Sequence, residues 1–413
     1  MDSYIQEKNQ KSAFLWNSIS SILLSFQSAV LLIVISQYGN TDDAGIFTFA
    51  YAAANLMVVI GKFGMRQFQA SDTKDKYAFS EYLFSRKATV LLMIAVSIPY
   101  AILSGAHNRV KIFTILLWCG TRAIEAYEDV YHGFLQKNGE LSKGAKILSI
   151  RTFLSILAFF AAYCWKQSLI AASAAAFATA LIFALLLNFR YRSFYPVPTP
   201  TDKVQVKNLL RENMSLFIAY FCTMYLGNAP KYSLNNTVSD EMQAVFGYMF
   251  MPVFLVNMLC GFILQPLLTT YSVLWHSKEI KKLGQLIRRH MLLIVSLTVI
   301  TILGGKFIGI YLLEIIYNVS LQPYAAILYI LLFTSGLISV LSYSRTLLTV
   351  VRYQNPVLIG YLAACLAMIL GGRPALQIGG LAGISIYYAF VILLLDIFSF
   401  GLFLRVLHKT NPS

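Results

Sequence analysis

From Ala13 to Leu404 the sequence is a succession of apolar runs about 20 residues long, divided by short segments that hold most of its charge. A helix rising 1.5 Å per residue needs ~20 apolar residues to cross the ~30 Å hydrocarbon core of a bilayer. Within that core only helices and closed barrels satisfy their backbone polar groups, and barrel strands are about half this length. The pattern therefore predicts an all-α integral membrane protein with about twelve transmembrane helices, over residues 13–38, 44–64, 88–105, 112–134, 147–165, 168–189, 214–230, 242–264, 290–313, 325–344, 357–372 and 380–404. Composition agrees: 58% of residues are hydrophobic and 12% charged, where soluble domains carry about 25% charged residues. The run at 13–38 is too long for a cleavable signal peptide and lacks a small-residue cleavage site, so it reads as the first span.

An even number of crossings places both termini on one side. With the termini cytoplasmic, 26 of the 33 Lys and Arg residues fall in inner segments, six lie outside or at the outer edge, and Arg122 lies within a span. This is a strong positive-inside bias. The net charge of +15 is thereby explained by topology, and nucleic-acid binding is excluded. Five cysteines, all inside apolar segments and without a CxxC pair, argue against a disulfide framework or a metal site.

The longest hydrophilic stretch, 190–213, contains "YPVPTP" and separates two sets of six spans. The expected organisation is an N-terminal six-helix lobe over 1–189, a basic cytoplasmic linker over 190–213 and a C-terminal six-helix lobe over 214–413, arranged around a central cavity. "NTDDAGIFTFAY" (40–51) and "NTVSDEMQAVFGY" (236–248) echo each other faintly at the starts of the second and eighth spans. A 6 + 6 plan with a basic linker is common among transporters.

One span departs from the apolar pattern. "RAIEAYEDVYHG" (122–133) places Arg122, Glu125, Glu128, Asp129 and His132 in the fourth run. At 100° per residue these side chains share about a third of the helix circumference, leaving Ile124, Tyr127 and Tyr131 on the other side. Charge facing lipid is expensive, so such a stripe is expected to line a hydrated lumen. The alternative is a structural network in which Arg122, with Glu125 and Asp129, joins neighbouring helices; the two can coexist. Asp396 stands in the last span with no charge within eight residues, in a pairing role or an ion-coupling one. Lys62 and Arg66 lie one turn apart after the second span, either snorkelling to the inner surface or forming a cationic mouth. Lys231 follows Pro230 at the outer end of the seventh span, where a broken helix could turn carbonyls and the ammonium toward a cavity. Pro99, Pro252 and Pro266 are candidate hinges. Neither GxxxxGK[ST], HExxH nor GxSxG occurs, so no nucleotide or hydrolytic motif is visible.

Taken in order, "DDAGIFTFAYAAANL", "GKFGMRQFQASD", "RAIEAYEDVYHGFLQKNGEL" and "NAPKYSLNN" with "FGYMFMPVFLVNMLCGFILQP" resemble the Wzx-type O-antigen and polysaccharide flippases. These belong to the multidrug/oligosaccharidyl-lipid/polysaccharide exporter (MOP) superfamily. The resemblance covers most of residues 10–290, and the remainder agrees in hydropathy. It implies a multi-pass protein of the bacterial inner membrane that carries an undecaprenyl-pyrophosphate-linked oligosaccharide to the outer leaflet by alternating access. Coupling to a proton or sodium gradient is implied, with no cofactor; membrane lipids and the pathway's polymerase and chain-length proteins are the implied partners. Carried over, Arg122, Lys62, Arg66 and Lys231 are the substrate-binding candidates, and Glu125, Asp129, His132 and Asp396 the coupling or lumen network. A multidrug or cation antiporter of the same superfamily is the rival, and a membrane enzyme acting on the same lipid-linked glycan a more distant one.

Overall fold

The computed structural model describes residues 2–72, 75–106, 108–196, 199–264, 268–351, 353 and 355–410. Helices account for nearly all of these residues, and no strand occurs among them. The Pro266 hinge lies outside the described residues. In chain order the α-helices are α1 (Asp2–Tyr38), α2 (Thr41–Lys62), α3 (Met65–Ser71), α4 (Phe79–Gly105), α5 (Arg109–Lys137), α6 (Leu141–Lys166) and α7 (Leu169–Arg190). They continue with α8 (Lys203–Leu226), α9 (Ala229–Leu234), α10 (Asp240–Leu264), α11 (Leu268–His276), α12 (Ile280–Gly304), α13 (Ile310–Tyr317), α14 (Ala325–Val350) and α15 (Asn355–Thr410). Among the described residues, eight helical segments are long and apolar enough to cross a membrane. The other expected crossings fall in α5, in α8 with α9, and in α10.

Two compact units divide the chain: residues 1–224 with 239–241, and residues 225–238 with 242–413. The division falls near the end of α8, so most of that helix clusters with the first unit although the linker at 190–213 precedes it. Apolar contact accounts for this: the rings of Phe63 and Phe217 stack with centroids 4.3 Å apart.

In the first unit, α5 is the helix around which α2, α3, α4, α6 and α7 pack. Asn40 caps α2 by accepting the Asp43 N–H at 2.7 Å, and α2 is almost wholly buried. Its small residues permit this, as is usual for helices packing in lipid. A Cβ added at Gly61 would lie 2.8 Å from both Met93 Sδ and the Ala126 Cβ, so α2 approaches α4 and α5 closely only because the position is glycine. The chain leaves α2 through Phe63 (φ 49°) and Gly64 (φ 67°), a left-handed stop.

In the second unit, α14 packs on α11, α12 and α15, and α9 packs on α15. Tyr271 joins α11 to α14 by a 2.9 Å hydrogen bond to Tyr343 and meets His290 of α12. Residues 373–379, between the last two expected spans, are helical, and Arg373 lies within α15. The break comes at Gly380, whose φ of 59° and ψ of −151° are accessible essentially to glycine. Pro374 is accommodated inside the helix, and the five residues between it and Gly380 remain helical.

Gly61→Leu is expected to lower the thermal unfolding midpoint of the detergent-solubilised protein, because overpacking a tight contact costs about 1–3 kcal/mol. An unchanged midpoint, followed by tyrosine and tryptophan fluorescence, would contradict this close approach.

Candidate functional site

The ionisable stripe of α5 is buried against its helical neighbours. Arg122, 6% exposed, donates through one guanidinium nitrogen to Glu125 at 2.5 Å and through another to the Tyr51 hydroxyl at 2.5 Å. The guanidinium also lies over the Tyr51 ring, 4.9 Å from its centroid, and Tyr51 donates in turn to Gln27 at 3.1 Å. The second oxygen of Glu125 accepts from Lys62 Nζ at 2.6 Å. One turn on, Asp129 bridges Arg86 at 2.9 Å and Arg66 at 3.5 Å. Arg86, with no exposed surface, also donates to the Gly61 carbonyl at 2.7 Å. Glu128 pairs with Arg151 of α6 at 2.9 Å and accepts from Asn188 of α7 at 2.6 Å. His132 is buried, its Nε2 lacking a hydrogen-bond partner among the described residues, and its ring lies against Gly144, where a Cβ would lie 3.1 Å from it.

These contacts place five cations, Lys62, Arg66, Arg86, Arg122 and Arg151, against three carboxylates. Buried ions persist only where opposite charge and hydrogen bonds replace water, which the interlocking pairs accomplish. The surplus positive charge emerges at Lys62 and Arg66, whose side chains are 34% and 31% exposed. Sequence reasoning assigned Arg86 and Arg151 to the inner membrane edge and missed Tyr51 and Asn188. Periodicity on α4 and α6 could have flagged the two arginines, because each follows a turn or more of helix rather than opening it.

The opposite face of α5 has the opening. Ile124, Tyr127 and Tyr131 line a cavity of about 820 Å³ whose walls come from α4 and α7 and whose inner end is formed by Arg192, Tyr195 and Pro196. Of the stripe, Glu128 alone among the described residues reaches it. The expectation that Arg122, Glu125 and Asp129 line an open lumen thus meets a different arrangement within the first unit. There the structural network holds the stripe, and the phenol face looks into space. Asymmetric burial is the reason, since the charges find partners on α2, α4 and α6 that the tyrosines do not need.

The remaining candidates lie in the second unit. Lys231, on the short α9, is 4% exposed, with Nζ 4.8 Å from the centroid of the Phe250 ring. Its carbonyl accepts from Gln243 at 3.1 Å. Asp396 is 5% exposed, and neither carboxyl oxygen has a hydrogen-bond partner among the described residues. No cluster of three or more His, Cys, Asp or Glu side chains suited to a metal ion occurs among the described residues.

No family model matches the sequence, and no curated protein matches it. Solved structures do. An inward-facing multidrug resistance MATE family transporter of the MOP superfamily superposes with a TM-score of 0.65 at 11% identity, over 97% of this chain and 99% of that one. The fold is that of the MATE transporters. A Vibrio cholerae MATE transporter gives a TM-score of 0.63 at 13% identity over 98% of each chain. A MOP superfamily transporter from Pyrococcus furiosus, described as having a binding pocket of reversed polarity that suggests a different function, gives 0.57 at 14% identity over 98% and 97%. At these identities the MATE likeness concerns architecture, and the side chains in the site must speak for chemistry themselves.

Glu125→Gln leaves the buried Arg122 without its carboxylate, and breaking a buried pair in this way costs about 3–5 kcal/mol. The double variant Arg122→Leu/Glu125→Leu is expected to unfold at a higher temperature than Glu125→Gln. A double variant no more stable than the single one would remove the pairing account.

Proposed function

We propose that this chain is a secondary transporter of the bacterial inner membrane that moves an amphipathic organic molecule by alternating access, coupled to a proton or sodium gradient. The observation that carries the proposal is the end-to-end likeness to MATE structures, which extends over 97–98% of this chain. A multidrug or cation antiporter is the reading that this likeness supports best. No bond is made or broken in such work, so the proposal assigns no catalytic residue and no cofactor.

Asp396 is the coupling candidate. Its carboxyl group is buried within a span without a hydrogen-bond partner among the described residues, and binding a proton or metal cation there would relieve its isolation. Glu125, Glu128 and Asp129 act in this proposal as the framework that fixes the cations of the first unit, with His132 packed against Gly144 one turn further along α5. In the first unit the exposed ends of Lys62 and Arg66, and separately in the second unit Lys231, are proposed contacts for anionic or polar groups of the cargo, while Arg122 positions Lys62 through their shared carboxylate Glu125.

A second reading, the flippase of undecaprenyl-pyrophosphate-linked oligosaccharides, is favoured by a separate observation. Five cations against three carboxylates leave positive charge where an antiporter of organic cations would place acid. A diphosphate cannot enter hydrocarbon unaided, and Lys and Arg replace water around phosphate oxygens. The reversed pocket polarity described for the Pyrococcus furiosus protein, which suggests a different function there, is consistent with pocket polarity differing between proteins of this fold. In this reading the polymerase and chain-length proteins of the same pathway are the proposed partners.

Reconstituted vesicles separate the two. For the antiporter, an imposed proton or sodium gradient drives uptake of a fluorescent organic cation, and Asp396→Asn removes the dependence on the gradient. For the flippase, a fluorescent lipid-linked diphosphate sugar becomes accessible in the opposite leaflet, with a loss of tenfold or more in Lys62→Ala/Arg66→Ala. Vesicles in which neither cargo moves under either gradient would overturn the transporter proposal.

A further inference from the structure

The cavity on the phenol face of α5 is not accounted for by the ion-pair network or by the proposed cargo contacts. Its walls, α4 and α7, each pack on α5 without an extended interface with each other. Four of its lining residues, Ile94, Leu181, Leu185 and Phe189, are between 39% and 74% exposed. An apolar opening of this kind, along helices at membrane depth, faces hydrocarbon rather than water. The space is thus a lateral groove, floored by Ile124 and the tyrosines, with a volume within the range of small-molecule sites.

Polarity is confined to its inner end. Glu128 reaches the groove but is paired with Arg151 at 2.9 Å and accepts a hydrogen bond from the Asn188 amide at 2.6 Å, and Tyr195 donates to Asn188 at 3.1 Å. Arg192, in the short 3-10 turn Arg192–Phe194, is exposed at the rim, and no carboxylate pairs with it among the described residues. It sits on the side where positive charge accumulates in this sequence. A guanidinium at the end of an apolar groove, level with the cytoplasmic leaflet, complements a phosphate attached to hydrocarbon chains.

We propose that this groove is a binding site for an anionic phospholipid of the inner leaflet. Its acyl chains lie between α4 and α7 over Ile124, and its phosphate is held by Arg192. Tyr127, Tyr131 and Tyr195 form the amphipathic collar between chain and headgroup, the usual depth for phenol side chains in a membrane. The site stands whichever cargo the protein carries, because a resident lipid there fills a gap between helices whose sides are already apolar.

The test is native mass spectrometry of the delipidated full chain after incubation with equal amounts of dioleoylphosphatidylglycerol and dioleoylphosphatidylcholine. The wild type is expected to retain the anionic lipid about fivefold over the zwitterionic one, the factor that corresponds to ~1 kcal/mol per basic residue at an anionic surface. Arg192→Glu brings the two to parity while total retention persists. Ile124→Trp, which fills the floor, removes both; Leu181→Trp, at the half-exposed edge, is a second blocking variant that leaves the α5 packing untouched. Equal retention of the two lipids by the wild type, a preference unchanged in Arg192→Glu, or loss of both phospholipids when undecaprenyl phosphate is added in equal amount would each overturn the proposal. No transport is measured, so this result is independent of the cargo experiments.

Discussion

The first unit depends on keeping three carboxylates and their five cations out of lipid on a single helix face. α5 carries Glu125, Glu128 and Asp129, and each holds a cation from a different part of the chain: Lys62 at the end of α2, Arg151 on α6, Arg86 on α4. Any one of these charges left alone would be strongly destabilising at membrane depth. Together they specify which helices surround α5 and at what rotation. Lipid-exposed leucines cannot do that, since lipid tails are as apolar as the residues they would pack against.

That rotation has a consequence on the far side of the helix. With the stripe turned toward α2, α4 and α6, Ile124, Tyr127 and Tyr131 are left facing the gap between α4 and α7. A polar network and an apolar groove are therefore two faces of one helix, and neither can move without the other. The surplus charge of the network leaves it at Lys62 and Arg66, close to the left-handed exit of α2 at Phe63 and Gly64. Under the proposed function, contact with an anion belongs at that end, and under the proposed lipid site hydrocarbon belongs in the groove.

Much of this was legible in the sequence, for definable reasons. Apolar run length located the helices, and the 100° periodicity of residues 122–132 placed the ionisable side chains on one face. What periodicity lacks is the identity of the neighbour. A stripe facing water and a stripe facing matched charge have the same spacing, so Arg122 and Asp129 read as lumen residues until Tyr51 and Arg86 were seen against them. Arg86 and Arg151 were hidden by the positive-inside rule, which explains any arginine near an inner helix end and so discriminates poorly there. At the other end of the chain, residues 373–379 read as the gap between two spans, yet the break lies at Gly380, where only backbone geometry distinguishes one glycine of the pair Gly379–Gly380 from the other. Lys231 and Asp396 lie in the second unit, and their surroundings come from tertiary packing that no local pattern encodes.

The rotation of α5 is most directly tested by spin-label accessibility in a background lacking the five native cysteines. Labels at Ile124→Cys and Ala126→Cys sit two residues apart on opposite sides of the helix, the second at a position with no exposed surface. Molecular oxygen dissolved in the bilayer is predicted to relax the label at 124 strongly and that at 126 weakly. The reverse order would mean that the ionisable side, not the phenol side, is the one that opens.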